Sequence, residues 1–394
     1  MGATGKCDGH LGADHAGGAL ALHEVAVELR RVAVLEAAEL ACRRGRVSRT
    51  QAPSAALVAK AAPRKSVLTG YNTPHMRIRQ IAISDVRALR EARIDLNDPD
   101  TGEPLPVVAL FGTNGSGKST VLRAVSGLLG QAVPQYSSDP LTSADVRHGL
   151  RQGKVSLTWD DLPLPGEASR SLITLSADLQ ADVPGAVPLL LIEGGSDARL
   201  VRWIAAVRGD HPRHGFIVDF DPFRGAPSPP LGTLPPAVRR HALSGALEPS
   251  FRRQAGFTDP SRFLKEGLLH LWVRNMAENG AGHFERVVAA LDRLLDPVRF
   301  ARIDPRSYEI WFTTPSGDVP LDVLADGHRG MFALVAGLLL RLCLACEDGD
   351  DPMSIEAVAL VDEIDVHLHP RWQARVMNDL RRAFPRVQWI VTTH

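Results

Sequence analysis

Two hydrophobic periods run through this chain, and their switches mark its elements. From Met76, Ile81 and Ile83, then Ile94 and Leu96, alternate with polar neighbours, which predicts a pair of half-buried antiparallel strands. Val155, Leu157 and Trp159, then Ile173, Leu175, Ala177 and Leu179, repeat that alternation and predict a second antiparallel pair. Unbroken apolar runs over Val107–Phe111, 188–195 and Ala357–Val361 predict strands buried on both faces, and Val387–Thr393 predicts a last strand. A hairpin is expected over Ser307–Leu321, turning at Pro-Ser-Gly-Asp.

The helical period appears at Val121, Leu122, Val125, Leu128 and Leu129. It returns over Arg262–Met276 and over His283–Leu295, where Phe284, Val287, Val288, Leu291, Leu294 and Leu295 share one face. These two helices predict a small helical subdomain inside an insertion of about 237–300. A longer helix opens at Asp326 or Gly327 and carries Met331, Leu334, Val335, Leu338, Leu339 and Leu342 on one face. After 369 a further helix turns Trp372, Val376 and Leu380 inward. Heptads are not sustained over several turns, so no long coiled-coil arm is expected. A Pro/Gly-rich stretch over 221–236 reads as a loop or boundary.

Residues 1–75 break from this pattern. They are rich in Ala, Gly and Arg, with one expected helix from about Ala19 to Arg44. The composition shift at Met76 predicts a poorly structured extension over 1–75 and a folded domain over 76–394. His10, His15 and His23 near Cys7 match no metal-ligand spacing.

Composition narrows the class without naming it. The 394 residues carry 45 Lys+Arg and 45 Asp+Glu, so no global field draws the chain to nucleic acid or membrane. No apolar run approaches the length of a membrane span, so membrane insertion is not expected. Four cysteines are too few for a disulfide framework, which points to a reducing cytoplasm. Cys343-x-x-Cys346 on a helix reads as buried structural cysteine rather than half a metal site. Arg371, Arg375, Arg381, Arg382 and Arg386 read first as a solvated face and second as a nucleic-acid patch.

The chemistry lies at the ends of two buried runs. After Phe111 comes Gly112-Thr113-Asn114-Gly115-Ser116-Gly117-Lys118-Ser119-Thr120, which fits the G-x-x-x-x-G-K-[ST] phosphate-binding loop between a strand and a helix. Glycines let backbone N–H groups approach a polyphosphate, and the helix N-terminus adds partial positive charge. Lys118 can reach the β- and γ-phosphates, and the Ser119 hydroxyl can ligate Mg²⁺. After Val361 come Asp362 and Glu363, a carboxylate pair at the carboxyl end of a strand. Beside a phosphate loop, Asp362 can hold Mg²⁺ through water and Glu363 can polarise the attacking water. The pattern implies a nucleoside triphosphate site.

Four motifs in this order resemble the ABC-type ATPase fold: the phosphate loop, a signature-like Leu324-Ala325-Asp326-Gly327-His328-Arg329, the acidic pair, and a switch histidine at His394. The segments VDEIDVHLHP and MRIRQIAISDVRALREARIDL are similar to those of the SMC/RecF/OLD-like class of bacterial AAA ATPases. The resemblance covers 76–129 and 307–394. It implies an α/β P-loop NTPase with an ABC-ATPase-like mixed sheet, an antiparallel N-terminal hairpin and a helical insertion. It further implies that Arg87, Asp326 and Gly327 contact nucleotide, that His394 acts beside Glu363 and Lys118, and that two copies pack head to tail around ATP and Mg²⁺. DNA or an effector protein is the implied partner, in DNA metabolism or phage defence. A transporter subunit and a non-hydrolysing, nucleotide-gated interaction protein are the alternatives. Ala325 stands where the class usually has Ser, and Ile364 where it usually has Pro. The class normally continues past the switch histidine, so a truncated or split form with weak hydrolysis is expected.

Overall fold

Strands of the two predicted kinds sort into separate sheets. A computed structural model describes residues 33–36, 77–132, 141–161, 171–181, 189–193, 216–220, 260–277, 282–344 and 351–394. In chain order the first elements are β1 (Ala33–Glu36), β2 (Ile78–Val86), β3 (Leu89–Asp95), β4 (Val107–Phe111) and α1 (Lys118–Ala132). Then come β5 (Gln152–Asp161), β6 (Ser171–Gln180), β7 (Leu189–Glu193) and β8 (Phe216–Phe220). The second half holds α2 (Pro260–Ala277), α3 (His283–Leu294), β9 (Arg299–Ile303), β10 (Ile310–Thr314), β11 (Gly317–Pro320) and α4 (Asp326–Leu344). It closes with β12 (Ala357–Val361), α5 (Pro370–Gln373), α6 (Val376–Ala383) and β13 (Val387–Thr393).

The parallel sheet runs in the order β1-β4-β13-β12-β8 and the antiparallel one β3-β2-β5-β6-β7. The α/β fold of a P-loop ATPase is therefore present, with its parallel and antiparallel strands divided between two sheets. The expected pairs are found in register: Ile81 faces Ile94, and Leu157 faces Leu175. β9, β10 and β11 form a small antiparallel sheet that contains the predicted hairpin.

Alternation along the parallel strands divides the core in two. Val108, Leu110, Ile217, Val358, Leu360 and Ile390 pack with α1 and the antiparallel sheet. Val107, Ala109, Phe220, Ala359, Val361 and Trp389 pack with α2, α3, α4 and the small sheet. Both faces are covered, so these strands read as continuous apolar runs. One buried amide ties the two sheets together. Gln388 on β13 accepts from the Ile78 N–H at 2.8 Å and donates to the Ile78 and Leu105 carbonyls at 2.9 and 3.1 Å.

Two expectations are corrected, and one strand goes beyond them. Where a helix was expected from about Ala19 to Arg44, Ala33–Glu36 is a strand paired in parallel with β4; an exposed sheet edge offers backbone partners that outweigh local helix propensity. The two helices expected in the insertion are present as α2 and α3, and their Leu264, Leu268, Val287 and Leu291 join Leu334, Leu338 and Trp389 in one cluster. The helix after 369 is broken, because Arg375 N–H bonds back to Trp372 O, a three-residue closure that interrupts the α-helical ladder. β8 has no counterpart among the predicted strands, because Asp219 interrupts its short apolar run. Arg371, Arg375, Arg381 and Arg382 are exposed, as both readings of this region require, and Arg386 is half-buried beside Glu356. Cys343 is buried, and Cys346 lies outside the described residues. So do the histidines near Cys7, the 221–236 loop and the burial of the 188–195 run. Among the described residues no helix is long and apolar enough to cross a membrane.

Candidate functional site

Register alone brings the remote motifs together. β13 lies between β4 and β12, with Thr393 opposite Phe111 and Val391 opposite Val361. All three strands run the same way, so their carboxyl ends deliver the phosphate loop, His394 and Asp362-Glu363 to one crevice.

The loop itself fits a triphosphate. Gly115 and Gly117 have φ of 79° and 101°, the left-handed region open to glycine. A Cβ at Gly115 would meet nothing within 4 Å, whereas one at Gly117 would lie 2.5 Å from Leu89 Cδ2. Gly115 therefore keeps the outer surface of the loop free for a ligand, and Gly117 lets the loop seat against β3. Lys118, only 7% exposed, folds its Nζ onto the carbonyls of Gly112 and Thr113 at 2.6 and 3.2 Å. That holds an ammonium within the cradle of loop N–H groups where phosphate oxygens would bind. Asn114 and Ser119 are exposed, and Thr120 is half-buried at the start of α1.

On the acidic side, Thr392 connects both carboxylates. Its hydroxyl donates to Asp362 Oδ1 at 2.5 Å and accepts from the Glu363 N–H at 2.7 Å. Glu363 has φ of 47°, a conformation that costs a non-glycine residue about 1–2 kcal/mol. Its carboxylate Oε1 lies 3.6 Å from His394 Nε2. The His394 N–H donates to Asp365 Oδ2 at 3.4 Å. A metal between the loop and the strand ends would find Ser119 Oγ on one side and Asp362 on the other, the oxygen donors that Mg²⁺ takes.

Arg87 stands at the tight turn between β2 and β3, with φ of 46°. Its Nε donates to Asp145 Oδ1 at 2.6 Å and its N–H to the Asp145 carbonyl at 2.9 Å. Arg123 on α1 approaches the other Asp145 oxygen at 3.5 Å. Buried Asp145 thus fixes Arg87 through Nε while the side chain stays 41% exposed. Sequence reading missed Asp145, although Thr142-x-x-Asp145 carries the signal of a capping box.

The signature segment opens α4. Asp326 pairs with Arg329, which also donates to the Asp322 carbonyl at 3.3 Å. A Cβ at Gly327 would lie 2.5 Å from the His367 carbonyl oxygen, so the helix start rests against the loop that follows the acidic pair. His328 crosses the Trp372 ring edge-on at 4.7 Å, and burial pushes its pKa below the ordinary value. The residues assembled at the strand ends are thus Gly112–Thr120, Asp362, Glu363 and His394; Arg87 is held by Asp145, and Asp326 and Gly327 pack in their own chain. Thr392 and Asp365 were not singled out from sequence. A threonine inside an otherwise apolar strand was the available signal for the first.

The chain is similar to known proteins. Residues 283–394 match the family described as "AAA domain, putative AbiEii toxin, Type IV TA system". The Septu protein PtuA of Bacillus mycoides (strain KBAB4) is 35% identical over 332 residues, 84% of this chain and 40% of that protein. The retron Vc95 probable ATPase of Vibrio cholerae serotype O1 biovar El Tor is 37% identical over 71 residues, 18% of this chain and 14% of that protein. The chain therefore spans less than half the length of these curated relatives. A solved SmcHead bound to the C-winged helix domain of ScpA aligns with a TM-score of 0.46 at 14% identity, covering 80% of this chain and 89% of that one.

Proposed function

We propose a nucleotide-operated switch for this chain, which belongs to the SMC/RecF/OLD-like class of AAA ATPases. In this reading it binds ATP with Mg²⁺, hydrolyses it, and pairs with a second copy head to tail while ATP is bound. The observation that carries the reading is the convergence of three strand ends, which sets His394 Nε2 3.6 Å from Glu363 Oε1 beside the phosphate loop.

Each residue then has a physical task. Loop N–H groups from Gly112 to Thr120 and the Lys118 ammonium bind the phosphates, Lys118 exchanging its carbonyl partners for phosphate oxygens. Ser119 and, through water, Asp362 would hold Mg²⁺, which when bound would supply positive charge against that developing on the phosphates. Glu363 accepts a hydrogen bond from water and orients it, while His394 supports that water or donates to the γ-phosphate. Arg87, anchored at Nε, offers its terminal nitrogens to nucleotide. Asp326 and Gly327, at the N-terminus of α4, offer N–H donors to the nucleotide of the other copy. DNA or an effector protein is the partner we favour, in phage defence or DNA metabolism, the setting that the class resemblance implies.

Two variants test this. Lys118→Ala is expected to lose ATP binding, because it removes a ground-state phosphate contact. Glu363→Gln is expected to bind ATP and accumulate ATP-dependent dimers on size exclusion. Monomers alone at high protein and ATP concentration would contradict the head-to-tail pairing.

A further inference from the structure

The two acids at the end of β12 share one support on the neighbouring strand. Thr392 is fully buried, yet both of its hydroxyl's capacities are in use. Its oxygen accepts from the Glu363 N–H and its proton goes to Asp362 Oδ1, at 2.7 and 2.5 Å. A carboxylate oxygen accepts and a backbone N–H donates, so the hydroxyl gives its one proton to Asp362 and takes the Glu363 N–H on a lone pair. The Thr392 carbonyl adds a third contact, accepting from the Ile364 N–H at 3.0 Å. Register explains the meeting: Val391 faces Val361, and the next residues, Thr392 and Asp362, fall on the same face as Leu360 and Ile390, toward α1.

We propose that Thr392 is the positioning residue of the acidic pair. Resting on the ATPase reading above, its hydroxyl holds Asp362 by Oδ1 so that Oδ2 is presented to the water-shelled metal. The same oxygen pins the Glu363 peptide in the left-handed conformation that swings its carboxylate toward His394. Main-chain pairing cannot substitute for it, because β12 ends at Val361 and the Glu363 N–H uses the Thr392 side chain. Thr392→Val keeps the shape and deletes both side-chain bonds; Thr392→Ser keeps both bonds.

Two readouts in the full chain decide the matter. In nucleotide-free protein, amide exchange at Glu363 should accelerate about tenfold in Thr392→Val, the loss of one hydrogen bond's protection, and stay at the wild-type rate in Thr392→Ser. The gain in ATP affinity on adding Mg²⁺ should fall about 10–100-fold in Thr392→Val and be retained in Thr392→Ser, the size typical of losing a metal ligand's outer partner. Wild-type exchange together with a wild-type Mg²⁺ gain in Thr392→Val would overturn the proposal. So would equal damage in the valine and serine variants together with a shared drop in melting temperature, which would mark Thr392 as packing only. Wild-type protein that gains no ATP affinity from Mg²⁺ would instead overturn the ATPase reading, with the exchange arm still deciding whether Thr392 holds Glu363.

Discussion

Glu363 occupies a backbone conformation better suited to glycine, and single side chains around it decide whether that conformation is kept. The same economy appears at Gln388, whose one amide satisfies three backbone groups between the two sheets. Gln388→Leu would keep much of the volume and leave the buried Ile78 N–H and two carbonyls unmatched. A loss of at least about 3 kcal/mol in unfolding free energy is expected in denaturant titrations, since each of the three buried orphans costs about 1–3 kcal/mol. A change within error would mean that water replaces the amide. His328 supplies a pH dependence. Its folded-state pKa lies below the unfolded value because burial disfavours the imidazolium, so the unfolded chain binds the extra proton. This contribution is fully present above the unfolded pKa and is lost as pH falls below about 6.5. The melting temperature should therefore decline on acidification from pH 7 to pH 5, and less steeply in His328→Phe.

At the scale of elements, α4 and the loop after β12 behave as one joint. Gly327 touches the His367 carbonyl and His328 touches Trp372, so the signature segment of a chain is packed on the connector from its own acidic pair. Gly327→Ala should lower stability by about 1–3 kcal/mol, because the added methyl meets backbone that must shift. A raised melting temperature, as alanine gives in an unobstructed helix, would contradict that packing. The elements best legible in the sequence were those whose period and partners are local. The β2–β3 and β5–β6 pairs followed from alternation, and the phosphate loop followed from a spacing that backbone geometry enforces. β8 and β1 were not legible: each is short, and its strand character comes from lying beside another strand rather than from its own residues. Periodicity marks the apolar faces of α2 and α3 but not what covers them. Asp145 and Thr392 act across distances of 58 and 30 positions, so only the folded chain reveals their partners.

For the whole molecule, every residue assigned to nucleotide lies between Arg87 and His394, downstream of β1. A chain beginning at Met76 should therefore keep ATP binding, while losing β1 from the edge beside β4 and some melting temperature with it. Failure to bind ATP with the fold intact would move the domain boundary upstream. Whether the three strand ends assemble a hydrolytic site is decided by steady-state ATP turnover of the chain and of Glu363→Gln, with ATP binding measured in both. Mg²⁺-dependent turnover is expected to fall about 10²–10⁴-fold in the glutamine variant, the scale of a lost general base, at unchanged ATP affinity. Turnover that persists in Glu363→Gln would contradict that expectation.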